Sequence, residues 1–493
     1  MTTAKQRKIV FIGILFLITI VRFFHFEGTV DSPHNWRQYD TKQYIDGYYY
    51  SDAPFMEPTV CWMGGHKTLV LEFPLPEYLV AKLYSVFGPH LWVARTFFLL
   101  FFVLAAYYFY KVLRVIFEDN WVPELATIVF GFAPLSLFYS RAIHIDFFAL
   151  AFAFGMLYHV LLAVRDKSWK NLIWAVVFSV IAFLEKAPYT FYLLFPALVY
   201  ILQQKSFKWF LPRSLLFVVP VIALFWWNSY SRTTNELIPD WYFIPSFNKF
   251  TDMWYWYFGT WEQRTNSANW ITILERLRFE ILGLSGIVLL IVGLVLAKKN
   301  RAYWWSLSWL MGTVLYVCIF FNLNVHHNYY QMPLIASLAI FVAMGLQRLI
   351  DFLPKKAIKL TLAFVLPAIF AVESMRYAET NYYTTEPMFD KIALEIKKHS
   401  KPDDLVIVSF GGLTPQCPLI LQPANRYGWS IPGTNLTTFL IRNLVKEGKA
   451  TRLAVVYDGY FTGEFQLFFE GMENKVGVPL DDKGKALYMC DLK

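Results

Sequence analysis

The sequence predicts an all-α polytopic membrane protein with about eleven transmembrane helices, followed by a small soluble C-terminal α/β domain. Three observations predict it. Of 493 residues, 57% are hydrophobic and only 16% are charged, with a mean hydropathy of +0.40, a balance that would not keep a globule dispersed in water. Apolar runs close to the ~20 residues needed to cross ~30 Å of hydrocarbon recur as far as residue 376. Beyond residue 377 they give way to short amphipathic and strand-like segments.

The expected spans are 9–26, 91–117, 121–139, 147–164, 171–185, 189–204, 214–231, 281–297, 303–321, 332–348 and 359–376. The first run lacks a small-residue cleavage site and more spans follow it, so it reads as a retained helix. Lys and Arg gather in alternate loops: Lys5, Arg7 and Lys8; Lys111 and Arg114; Arg165, Lys167 and Lys170; Lys205, Lys208 and Arg213; Lys298, Lys299 and Arg301; Arg348, Lys355, Lys356 and Lys359. Only Glu118, Asp119, Asp166 and Asp351 oppose them there, although the whole chain carries just +9. This positive-inside pattern puts the N-terminus in the cytoplasm and, after eleven crossings, the C-terminus outside. The pI of about 9.1 therefore reports topology, and nucleic acid is not an expected partner.

A transmembrane domain thus covers 1–376, with long outer loops at 27–90 and 232–280, and an extracytoplasmic domain covers 377–493. In the first loop, Tyr44, Ile45, Tyr48 and Tyr49 recur at helical spacing, as do Leu75, Tyr78, Leu79, Lys82 and Leu83, which predicts two helices lying at the membrane surface. In the tail, MFDKIALEIKK and TTFLIRNLVKE read as helices, and DLVIVSF, RLAVVYD and KALYMCDL as strands. Cysteine counting leaves a Cys417–Cys490 disulfide open. The chain has no CxxC, HExxH or Walker loop, and Asn435-Leu-Thr437 is a lone sequon.

Chemistry-bearing residues gather on the expected outer face. Trp36, Arg37, Gln38 and Asp40 follow closely on the first span. Asp40 has two readings, and spacing admits both: an N-cap in the near-capping-box Asp40-Thr-Lys-Gln43, or a general base oriented by Trp36 and Gln43. Arg37, Arg141, Lys186, Arg264, His326 and His327 lie near outer span ends, where cations can meet developing negative charge or simply reach toward the interface. His326 and His327 with Asp146 could hold a divalent metal, but adjacent histidines in a helix point apart, which favours hydrogen bonds to sugar or phosphate. Tyr329, Tyr330 and the run from Trp254 to Trp270 suit an aromatic belt or stacking on sugar rings.

His34-Asn-Trp-Arg-Gln-Tyr-Asp-Thr41 resembles the WRQxDT signature of bacterial membrane glycosyltransferases of the protein-mannosyltransferase and aminoarabinose-transferase type, which share the GT-C fold. The resemblance continues in Glu72-Phe-Pro-Leu-Pro-Glu-Tyr78, Arg95, Ser140-Arg-Ala-Ile-His-Ile-Asp146 and His326-His-Asn-Tyr-Tyr-Gln-Met-Pro333. It implies inverting transfer of a sugar from a polyprenyl-phosphate donor to a lipid, glycan or protein acceptor at the outer surface of a bacterial inner membrane, with Asp40 in the position of the family's loop aspartate. It also implies substrate contacts for Trp36, Arg37, Gln38, Glu72, Arg141, Asp146, Lys186, Arg264, His326, His327 and Tyr330. Two departures stand out: Tyr39 replaces a commonly small residue, and Glu72 precedes Phe-Pro where aminoarabinose-type relatives carry Lys. The rival reading is a transporter or flippase, which would concentrate ionisable groups near the bilayer midplane; here they favour one face.

Overall fold

The computed structural model describes residues 4–118, 120–240, 254–411, 413–414, 416–457, 463–472 and 475–492. The chain forms two compact units: Met1–Gly28, Leu91–Asn228 and Met253–Tyr383 make one, and Thr29–His90, Ser229–Asp252 and Thr384–Lys493 the other. Where the sequence suggests a single boundary after residue 376, the fold groups the first loop with the tail.

Among the described residues, seven helices are long and apolar enough to cross a membrane: Leu91–Ile116, Asp146–Asp166, Phe207–Glu236, Ser267–Leu296, Arg301–Ile319, Asn328–Phe352 and Ala357–Asn381. The chain is an integral membrane protein. The other four expected runs are also helical, but each is shorter, more charged or broken. The first is the 17-residue Ala4–Ile20. Trp169–Lys186 carries Lys170, Glu185 and Lys186. The run at 189–204 divides into Pro188–Phe191 and Leu194–Gln203. The run at 121–139 divides into Val122–Phe132 and Pro134–Tyr139, because Pro134 has no N–H to continue the ladder and Ala133 turns extended. The break frees carbonyls in an apolar interior, and the buried Arg22 guanidinium answers them, donating to Gly131 O at 2.6 Å and Ser136 O at 3.3 Å. Elsewhere in this unit small residues allow close helix contact. A Cβ at Gly293 would stand 1.9 Å from the Phe341 carbonyl, and one at Gly345 would stand 2.0 Å from that of Leu289.

The expected loop at 232–280 is largely helical where it is described. Residues 241–253 lie outside the described set. Beyond them Trp254–Phe258 and Trp261–Thr265 form short helices, and Ser267 opens the next span. Local capping explains the difference: Thr260 and Gln263 form a reciprocal capping box, and the Asn266 side chain accepts from the Ala268 amide. Composition alone read the stretch as polar loop.

In the second unit, helices Asn35–Tyr50 and Leu75–Phe87 pack together. The second buries Pro76, Glu77, Val80, Ala81 and Tyr84 and leaves Leu79 exposed. The tail carries a five-stranded sheet of β1 (Leu405–Phe410), β2 (Tyr427–Pro432), β3 (Arg452–Tyr457), β4 (Val476–Pro479) and β5 (Ala486–Asp491) in the order β2-β1-β3-β5-β4. β1 runs parallel to both β2 and β3, while β5 is antiparallel to β3 and β4. The open edge of β2 is met by the first loop: Gly428 N donates to Cys61 O at 2.9 Å and Gly64 N to Gly428 O at 2.8 Å. All four cysteines are free, and Cys490 Sγ lies 3.0 Å from Met472 Sδ.

Candidate active site

The segment bearing Asp40 is helical from Asn35, with His34 as its N-cap residue in the left-handed region at φ 55°. Asp40 therefore sits in the second turn and is not an N-cap, which corrects the first of its two readings. The residues i and i+3 along this helix share a face, so Arg37, Asp40 and Gln43 line up. Arg37 donates to Asp40 Oδ2 through one guanidinium nitrogen and pairs with Glu72 Oε1 at 2.8 Å through the other. Gln43 Nε2 donates to Asp40 Oδ1 at 2.6 Å, while Gln43 Oε1 accepts from the Cys61 amide at 3.0 Å. Both carboxylate oxygens of Asp40 are thus held, each by a different donor.

Arg37, Gln38, Asp40, Thr41 and Gln43 are all buried. The Glu72 side chain is 32% exposed and forms the accessible edge of the cluster. Burial pushes the Asp40 carboxyl above its ordinary value; Glu72 adds to this, and Arg37 and Gln43 offset it only in part. Glu77, buried one helix away, is pushed up to about 8, chiefly by burial, and its Oε2 has no hydrogen-bond partner among the described residues. A buried carboxylate with a raised affinity for protons, held by two donors, is suited to take a proton from a bound hydroxyl. Trp36 is half-buried on the turn before Asp40. Gln38 is turned to another task, donating to Asp31 O at 2.6 Å.

The other unit has its own cluster. Asp146 opens helix Asp146–Asp166 and is fully buried; it pairs with Lys186 and, at 2.5 Å, with His144 Nδ1. The Lys186 ammonium lies 4.5 Å from the ring centre of Tyr189, 5.1 Å from that of Tyr329 and 4.2 Å from that of Tyr330. Pro188 positions the cation by ending its helix just after Lys186. The turn Asn328–Gln331 supplies the second and third rings. The fold therefore gathers Asp146, Lys186 and Tyr330 from three distant stretches of sequence.

Three predicted residues are placed elsewhere, and a fourth, His327, borders the Lys186 cluster. Arg141 donates to His25 O at 3.0 Å and lies over the Tyr383 ring at 4.5 Å. Arg264 caps the end of helix Arg301–Ile319, donating to Cys318 O and, at 3.3 Å, to Ile319 O. His326 stacks on Trp256, with ring centres 5.3 Å apart, whereas His327 stacks on Tyr329 at 5.1 Å. The two imidazoles diverge, as adjacent positions imply, and Asp146 is engaged by Lys186 and His144. Among the described residues no three His, Cys, Asp or Glu side chains gather as a metal-holding group, so His326, His327 and Asp146 do not fit a metal.

Sequence reasoning passed over a buried polar network in the same unit. Tyr139 Oη donates to Asn328 Oδ1 at 2.6 Å, Asn328 Nδ2 donates to Glu280 Oε2 at 2.6 Å, and Tyr382 Oη donates to the same oxygen at 2.7 Å. The available signal was a carboxylate on the edge of an apolar run, an expensive placement that asks for partners.

Comparison with known proteins fits this architecture. Residues 72–227 match the family model described as dolichyl-phosphate-mannose-protein mannosyltransferase. No curated protein matches the sequence significantly. Among solved structures, ArnT from Cupriavidus metallidurans in the apo state superposes with a TM-score of 0.62 at 14% identity, covering 99% of this chain and 98% of that one. The same protein bound to undecaprenyl phosphate gives 0.60 at 13% identity, again over 99% and 98%. The archaeal oligosaccharyltransferase AglB from Archaeoglobus fulgidus, in complex with an inhibitory peptide and a dolichol-phosphate, gives 0.57 at 12% identity over 91% of this chain and 69% of that one. The fold is the GT-C type that the sequence motifs led us to expect, a helical membrane body with a small sheet domain.

Proposed function

We propose that this chain is an integral-membrane glycosyltransferase that moves a sugar from a polyprenyl-phosphate donor to an acceptor hydroxyl on a glycolipid, polysaccharide or protein, with inversion and with Asp40 as general base. The observation that carries the reading is the held, buried carboxylate of Asp40 with its raised proton affinity. The likeness in fold to structures bound to undecaprenyl phosphate and to a dolichol-phosphate supports the donor class.

In this reading the acceptor O–H proton passes to Asp40 as the oxygen bonds to the anomeric carbon. The bond from that carbon to the phosphate oxygen breaks on the opposite face, and its electron pair leaves with the polyprenyl phosphate. Arg37 keeps enough of Asp40 ionised for it to accept the proton, and Gln43 fixes its orientation. Charge builds on the departing phosphate and needs a cation. No step is routed through a metal. The one-sided loop charges support a cytoplasmic N-terminus with the chemistry outside, and the bacterial inner membrane rests on the family resemblance alone.

The test uses purified protein in vesicles with labelled polyprenyl-phosphate sugar. Asp40→Asn is expected to lose transfer by roughly 10²–10⁴-fold while keeping the wild-type melting midpoint. Wild-type rates in that variant would remove Asp40 from the chemistry. Retained anomeric configuration in the product would rule out direct displacement, and counterflow of a solute with no glycosylated product would favour a transporter.

A further inference from the structure

We propose that Glu280 is a positioning residue, holding the turn Asn328–Gln331 so that His327, Tyr329 and Tyr330 are set for the phosphate of a polyprenyl-phosphate ligand. The proposal rests on the functional reading above. Residues Leu277–Leu282 form a π-helical turn inside the span Ser267–Leu296, a feature that concentrates at functional sites because it re-aims side chains that an α-helix would place elsewhere. The irregularity is supported on its far side. Gly283 takes φ +61°, and the amides freed there, Leu284 N and Ser285 N, are accepted by the Glu373 carboxylate at 2.5 and 3.1 Å. The turn is therefore built into the fold, and it carries Glu280.

The Glu280 carboxylate then meets two donors from two different elements on one oxygen, the Asn328 amide and the Tyr382 hydroxyl. Asn328 is fixed from both ends, since its amide oxygen accepts from Tyr139. A side-chain amide with both poles committed has one orientation, so the backbone that follows it is set as well. That backbone is gripped further by two hydroxyls, Tyr189 donating to Tyr329 O at 3.0 Å and Tyr316 to Tyr330 O at 2.9 Å. What the turn presents is the His327 ring stacked on Tyr329, and two of the three rings around Lys186. Arg276, one turn before Glu280, donates to Asn324 O at 3.0 Å and Val325 O at 2.9 Å, holding the chain that leads into the turn.

The experiment compares wild type with Glu280→Ala and Glu280→Gln in nanodiscs. It measures amide hydrogen exchange of residues 327–331, binding of undecaprenyl phosphate by native mass spectrometry, and KM and kcat for a labelled polyprenyl-phosphate sugar. Glu280→Ala is expected to speed exchange in the turn, weaken undecaprenyl-phosphate binding and raise KM by about tenfold, with kcat changed much less, because misplacement by an ångström has costs of this order. Glu280→Gln, which keeps an acceptor oxygen for both donors, is expected to restore most of the binding. Unchanged exchange in Glu280→Ala, or faster exchange with unchanged binding and KM, would overturn the proposal. If wild type binds undecaprenyl phosphate but transfers no sugar, the glycosyltransferase reading fails while binding and exchange still judge Glu280. If wild type does not bind it, both fail.

Discussion

Replacing Glu77 by glutamine is expected to stabilise the protein at neutral pH and to do so less and less as the pH falls. Glu77 is buried, and burial lifts its carboxyl from 4.5 to about 8, so at pH 7 the folded chain holds it mostly protonated while the unfolded chain ionises it. A group with a raised folded pKa binds protons more tightly when folded, so stability is greatest below the unfolded value and declines as the pH climbs toward the folded one. Each pH unit in that interval is worth ~1.36 kcal/mol, which makes the loss about 3 kcal/mol at pH 7. Glutamine has nearly the shape of the neutral acid and no proton to lose. The Glu77→Gln protein should therefore exceed wild type by up to about 3 kcal/mol at pH 7 and match it near pH 4. Denaturation midpoints of both proteins in the same detergent, read from pH 4 to pH 8, give the comparison. A gap that stays constant across that range would show that Glu77 is not held protonated by its surroundings.

Two further perturbations test other parts of the structure. Arg37→Met removes the cation that favours ionised Asp40 and leaves Glu72 facing it uncompensated; if Asp40 is the base, the acid limb of kcat/KM shifts to higher pH, and an unmoved limb would separate Arg37 from Asp40's titration. Gly293→Ala puts a methyl 1.9 Å from the Phe341 carbonyl, where only a shift of the helices can relieve the clash, so a loss of about 1–3 kcal/mol is expected; an unchanged melting midpoint would refute that contact.

Much of this architecture could be read from hydrophobic runs, because the bilayer demands long apolar helices and the sequence must spell them out. The three tail strands with continuous apolar residues were equally visible. β2 and β4 were not: Gly428 and Pro432 interrupt one, Gly477 and Pro479 the other, and such residues argue against a strand until neighbouring strands override them. The N-cap reading of Asp40 fails because the helix starts at Asn35, and His34 before it makes no side-chain cap bond, so the usual sign of a helix start is missing. Asp40 and Gln43 were legible as a pair, since helical spacing brings them together, whereas Arg37 and not Trp36 takes the other carboxylate oxygen. Lys186 was singled out as a rim cation, but its encirclement by Tyr189, Tyr329 and Tyr330 depends on the packing of separate helices. The Glu280 network depends in the same way on a π-turn that no periodicity announces.

The stitching of the first loop onto β2 also bears on how the chain is made. Asp40 is steadied by Gln43, Gln43 by the Cys61 amide, and Cys61 by the amide of Gly428. The last of these groups leaves the ribosome hundreds of residues after the first, and contacts of such sequence separation form late. During synthesis the nascent polypeptide holds this helix without its final brace, and a message truncated before residue 428 would yield a product in which the Cys61 carbonyl lacks the Gly428 amide.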